Sequence, residues 1–288
     1  MFFSTILRLL REKTILINIK DFYTEVNMHY TTYESYDRPY IRPCPIKDKK
    51  LYFRDILTLE KIMFEQDKTY PYNEFLHEWA QLLINSMHLF EAGYFDCAYY
   101  SLRQAIEMAV LILYFVDLPD INAKEKWQQW VQQQSFPTSG QMLNELKQKG
   151  EKYKEMCAAF PEFLSELKKL QGILNKLVHK QGFFYLYTVH GNSMIIPDKE
   201  QNHFILDFPK YLEKTIRIIA MIRVFIDPYP LLLADYNIAI KSFCLTTPYP
   251  EEFINKYLST DFVERYKKTS LYQKYYNECI NKQVVRVV

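Results

Sequence analysis

The chain has 288 residues, 49% of them apolar, with 24 Tyr, 20 Phe and a formal net charge of +2. That length buries a sizeable core without metals or disulfides, and that apolar content argues against global disorder. Only 6 Gly argues against glycine-rich phosphate loops and a turn-dense β-sandwich. The five Cys, at 44, 97, 157, 244 and 279, form no CxxC pair, which argues against a zinc site and fits a reducing cytoplasm.

The first 20 residues mix apolar side chains with Arg8, Arg11, Glu12 and Lys13 and do not read as a signal peptide. Residues 14–19 suit a short strand, and 29–45, rich in Tyr, Arg and Pro, suit an extended arm. Helical spacing of Ile56, Leu59, Ile62 and Met63 predicts a short helix over 51–65. From Asn73, a candidate N-cap, a longer helix runs to about Glu91, with Leu76, Trp79, Leu83, Met87 and Phe90 apolar. Gly93 stops it, and Asp96 opens a second helix to about Val116, so the two should form an antiparallel hairpin. Met108–Val116 is the longest apolar run. It is too short to span a bilayer and reads as buried core, so no membrane association is expected.

The first half of that second helix carries Asp96, Tyr100, Arg103, Gln104 and Glu107 on one face. Arg103 and Glu107, four apart, form either an ordinary exposed ion pair or part of a polar strip facing another helix or a ligand. Beyond the Pro119 break, a short helix is expected near 124–134. Ser139 is a candidate cap for a segment over 142–154. Pro161 suits the first turn of a helix to about Lys180, with Gly182 as its stop. Residues 183–207 are β-prone around Gly191-Asn192, as in a small hairpin or ordered loop. Helix returns over 211–226 and again over 231–245. A Tyr-rich basic extension follows with two short helices, 251–258 and 261–279.

His179 ends the 161–180 helix. Its helical neighbours are Lys176, Asn175, Gly172, Gln171 and Lys168, while Phe163, Leu167, Leu170, Leu174 and Leu177 line the opposite side. From Lys147 to Lys180 eight lysines stand against four glutamates. A surface histidine near a helix C-terminus is one reading. The other is an imidazole working as acid or base on a phosphodiester, with Lys176 and Lys180 holding phosphate and Asn175 orienting the ring or binding phosphate. The tyrosines 257, 266, 272, 275 and 276, interleaved with Arg265, Lys267, Lys268 and Lys274, suit either packing on their own domain or stacking on RNA bases.

Two segments carry a resemblance. Phe90–Glu107 contains a Gly93-Tyr94 turn leading into a helix with Arg103-x-x-x-Glu107, and Leu174–His179 is a helix ending in His. Together they resemble the HEPN superfamily of helical nucleotide- or RNA-binding domains over about residues 70–226. The resemblance implies a mainly α antiparallel bundle at 70–226, preceded by an arm at 1–69 and followed by a helical extension at 227–288. It also implies a cytoplasmic homodimer from a prokaryotic defence or toxin–antitoxin system, with RNA or nucleotide as ligand and an antitoxin or defence protein as partner. Catalytic members have four to six residues between an Arg and the His. Here Gly172, Ile173 and Leu174 stand where that Arg would, and Arg103 of the neighbouring helix is the cation left to replace it. The catalytic candidates for a metal-free ribonuclease are therefore His179, Arg103 and Glu107, with Asn175, Lys176, Lys180 and Lys168 contacting nucleic acid and no cofactor or metal. The alternative is a catalytically inert module that holds a partner protein.

Overall fold

Phe90 and Phe208 stack with ring centroids 3.9 Å apart, and Tyr99 meets Phe208 edge-on, so two neighbouring segments share one core with a third that is distant in sequence. The computed structural model describes residues 44–60, 73–182, 206–228, 231 and 250–286, all within the unit Pro43–Val288. These residues are mainly helical, and no strand occurs among them. The helices are α1 (Lys49–Leu59), α2 (Asn73–Glu91), α3 (Phe95–Asp117), α4 (Asp120–Val131), α5 (Ser139–Lys149) and α6 (Glu151–Ala159). Then come α7 (Pro161–Val178), α8 (Phe208–Ile226), α9 (Pro250–Tyr257), α10 (Ser259–Lys267) and α11 (Ser270–Arg286). The expected strand at 14–19, the β-prone stretch at 183–205 and nearly all of the helix expected at 231–245 lie outside the described residues.

The expected α2–α3 hairpin is present. Gly93 has φ 89°, and the Tyr94 N–H reaches back to the Leu89 carbonyl at 2.8 Å, closing α2 with a left-handed residue that glycine takes without penalty. Ser86 on α2 donates to the Ala98 carbonyl on α3 at 2.8 Å inside the contact, which a bulkier side chain would hold apart. Ala109–Phe115 is buried all round, because α2, α5, α7 and α8 pack around α3. Each fully buried Leu, Ile or Phe there contributes about 1.5–3 kcal/mol, before the entropy of ordering the chain is subtracted.

Several boundaries differ from the expectation: the helix expected near 124–134 is α4, Asp120–Val131. The segment expected at 142–154 is two helices, and the first begins at Ser139, not after it. Thr138 is the cap: its N–H donates to Gln141 Oε1 at 2.8 Å, and its hydroxyl donates to the same oxygen at 3.1 Å. The chain breaks at Gly150 because the Asp117 carboxylate, from the end of α3, accepts the N–H groups of Lys152 and Tyr153, both at 2.8 Å. It thereby supplies the first turn of α6 with an acceptor from outside. Burial raises the Asp117 carboxyl above its ordinary value, although these N–H bonds and Lys152 pull it back.

The C-terminal extension forms three helices where two were expected. The additional break falls at Thr269, whose Oγ1 accepts the Tyr272 N–H at 3.2 Å and so caps α11. The extension packs on the preceding helices. Asp55 of α1, 1% exposed, accepts from the Tyr257 hydroxyl at 2.8 Å and from Lys256 at 2.9 Å on α9. Burial first, then Asp55, pushes the Tyr257 hydroxyl far above its usual value. Tyr266 and Tyr275 donate to the carbonyls of Val224 and Ile226, and the Lys152 ammonium also bonds Ile226, so the end of α8 is capped by other elements.

Candidate functional site

The antiparallel run of α7 against α3 positions the site. The start of α6, just before α7, meets the C-terminal end of α3 through Asp117, while His179 and Lys180, just after α7, meet its N-terminal half. The five buried apolar residues Phe163, Leu167, Leu170, Leu174 and Leu177 face the core, as their spacing requires. His179 follows as the exposed C-terminal cap, its N–H bonded to the Asn175 carbonyl at 2.8 Å.

Helix α7 ends at Val178, two residues short of the expected Lys180, and Gly182 beyond it has φ 129°. Lys180 is itself left-handed, with φ 54°, and the Gln181 N–H bonds the Lys176 carbonyl at 3.0 Å. This is a Schellman turn with lysine where glycine is favoured. The ion pair between the Lys180 ammonium and Asp96 on α3 anchors the side chain of that residue.

About two turns further along α3, Arg103 joins the two helices. Its Nε donates to Glu107 Oε1 at 3.1 Å, Nη2 lies 3.1 Å from the same oxygen, and Nη1 contacts His179 Nε2 at 3.1 Å. A guanidinium only donates, so this contact assigns the Nε2 lone pair as acceptor and puts the proton of the neutral ring on Nδ1. Gln104 donates to the other Glu107 oxygen at 3.0 Å. The result is a chain from Gln104 through Glu107 and Arg103 to His179, with the Asp96–Lys180 pair beside it. The Arg103 and Glu107 side chains are 21% and 29% exposed, so solvent reaches the cluster.

The structure thus brings His179, Arg103, Glu107 and Lys180 together. Lys176 and Lys168 stand exposed on α7, and Asn175 is half-buried. Asp96 and Gln104 complete the cluster. Their place on the polar strip of α3 was visible in the sequence, but their pairing with Lys180 and Glu107 was not. Arg103 approaches His179 from the neighbouring helix, 76 residues away in sequence and beyond the reach of any local signal.

The C-terminal tyrosines take the packing reading. Tyr257, Tyr266, Tyr272 and Tyr275 are buried, and only Tyr276 among the five is exposed. Arg265 is held by Glu162 and the Ala159 carbonyl and lies over the Phe160 ring at 4.5 Å. Among the described residues no group of three or more His, Cys, Asp or Glu is arranged to hold a metal ion. No described helix is long and apolar enough to cross a membrane. No protein-family model matches the chain, and no curated protein or solved structure is significantly similar to it.

Proposed function

We propose that this is a HEPN-like protein that binds RNA phosphates through the α3–α7 surface, centred on Arg103 and His179 and flanked by Lys176, Lys180 and Lys168. The observation that carries this reading is the 3.1 Å contact between Arg103 Nη1 and His179 Nε2. It puts a guanidinium beside the imidazole although α7 has no arginine with four to six residues between it and His179. A guanidinium binds phosphate through two parallel donors, and an adjacent imidazole adds a donor or a proton acceptor. Arg103, His179 and Glu107 are also the groups that would act in metal-free RNA cleavage, with a 2′-hydroxyl as nucleophile. The defence or toxin–antitoxin setting and the homodimer come from the resemblance alone.

A second reading has its own support. Arg103 and Lys180 are each paired with a carboxylate of the same chain, as in a surface that only holds helices together or seats a partner protein. Titrating a labelled single-stranded oligoribonucleotide at several salt concentrations separates the two. A phosphate surface loses affinity steeply with salt, and neutralising Lys176 or Lys180 lowers the slope by about one unit each. Salt-independent binding, or none by wild type and variants alike, overturns the RNA reading. Cleavage that is equal in wild type and His179→Ala, or absent from both, removes catalysis.

A further inference from the structure

We propose that Glu107 is a built-in competitor for the anion site, and that Arg103 is a two-position side chain which an RNA phosphate must draw away from it. The inference rests on the reading of this surface as a phosphate site. In the resting arrangement every nitrogen of the Arg103 guanidinium is engaged: Nε and Nη2 on Glu107, Nη1 on His179. The donors that a phosphate would take in parallel are therefore occupied by a carboxylate of the same chain.

Two features make the exchange feasible. Arg103 and Glu107 are four residues apart on a helix and partly exposed, and such a pair holds only weakly. Glu107 is also not abandoned when Arg103 leaves, because Gln104 still donates to Oε2 at 3.0 Å and water reaches its other oxygen. The cost of leaving a carboxylate without a donor is avoided.

The movement has a second consequence. While Arg103 Nη1 points at Nε2, the His179 lone pair is covered. Drawing the guanidinium onto phosphate uncovers that nitrogen beside the bound anion. One side-chain movement therefore forms the anion contact and frees the imidazole, so His179 becomes available as an acceptor only when RNA is present.

The test is a titration of the full-length protein, carrying 15N-labelled Arg and His, with a mixed-sequence single-stranded oligoribonucleotide. Wild type should show the Arg103 Nε–H and His179 Nε2 signals moving together with RNA occupancy. Glu107→Gln, nearly isosteric, should bind the same RNA roughly three- to tenfold tighter. Gln104→Ala changes no charge but removes the reserve donor, and should bind about twofold more weakly. That last effect separates competition from a general loss of negative charge, and it stands even if Glu107→Gln folds poorly. Equal affinity in wild type, Glu107→Gln and Gln104→Ala overturns the competition and leaves the phosphate surface intact, as does binding that leaves both signals in place. Absence of binding by wild type and Glu107→Gln overturns both.

Discussion

Arg103 and His179, 76 residues apart in sequence, are joined by a 3.1 Å contact between Nη1 and Nε2, which together with the Lys180–Asp96 ion pair links α3 to the end of α7. His179 is exposed, so His179→Ala alone should cost under about 1 kcal/mol. Arg103→Ala also removes the Glu107 pair and should cost more. The two effects should be non-additive by about 0.5–1 kcal/mol, the lower part of the net range of a hydrogen bond, because solvent reaches this one. Urea unfolding of the two single variants and the double variant measures the coupling; additivity would mean that the contact does not hold the helices. Arg103→Lys should behave nearly as the alanine variant, because one ammonium cannot span Glu107 and His179 together.

Lys180 separates stability from binding. A non-glycine residue at φ 54° carries about 1 kcal/mol of backbone penalty, which Lys180→Gly relieves. The same change deletes the Asp96 partner, a partly exposed ion pair worth about 0–1 kcal/mol. Lys180→Gly should therefore unfold within about 1 kcal/mol of wild type while binding oligoribonucleotide more weakly. Calorimetry and the RNA titration on one preparation check both halves. A variant that is much less stable would show that Asp96 contributes far more than an exposed pair does.

The parts of this architecture legible in the sequence are those with local causes. Gly93 between two amphipathic stretches is enough for the α2–α3 hairpin, and an apolar run as long as Met108–Val116 has nowhere to go but the core. The misread boundaries have distant causes. The break at Gly150 depends on Asp117, which sits on another helix, and at the end of α7 the first left-handed residue is Lys180, paired with Asp96 of another helix, with Gly182 taking a positive φ of 129° two residues later. The tyrosines of α9–α11 have the same spacing whether they stack on bases or pack inward. What decides between these is the set of acceptors on Asp55, Val224 and Ile226, which no local pattern reveals. The candidate site divides in the same way: the polar strip and His179 follow from periodicity, but their meeting does not.

Gly150 and Asp117 should behave as one unit. A Cβ at Gly150 would lie 2.3 Å from Asp117 Oδ2 and 3.0 Å from Leu146 atoms, so Gly150→Ala must displace the carboxylate. The expected cost is about 2 kcal/mol or more, from overpacking and the lost cap of α6. Asp117→Ala alone should cost about 1–2 kcal/mol, since two N–H groups lose their acceptor. The double variant should be less destabilised than the sum, with Leu146 preventing full rescue. Asp117 also carries a pH signature. Its folded carboxyl is raised, so its favourable contribution is complete below the ordinary carboxylate value and is lost as pH rises through the raised one. The stability advantage of wild type over Asp117→Asn should shrink from pH 4 to pH 7, and an advantage that grows would contradict burial as the dominant influence.

Glu162 and Arg265 should give the opposite sign. The Arg265 guanidinium donates to both Glu162 oxygens, at 2.8 and 3.1 Å, and these bonds hold the Glu162 carboxyl below its ordinary value despite partial burial. A depressed carboxyl contributes stability that is present above its unfolded value and lost as pH falls through the folded one. The pair joins the first turn of α7 to α10, and Arg265 also bonds the Ala159 carbonyl at the end of α6. Glu162→Gln should therefore lower the melting temperature at pH 7 and lose most of that deficit near pH 3. Both groups are partly exposed, so the effect at pH 7 should be modest, about 1 kcal/mol or less. Arg265→Ala should cost more at every pH, because it also uncovers the Ala159 carbonyl and the Phe160 ring. Parallel melting curves for the two variants and wild type at both pH values test the assignment. A Glu162→Gln deficit that persists unchanged at low pH would place its origin in packing and not in the charge that Arg265 holds.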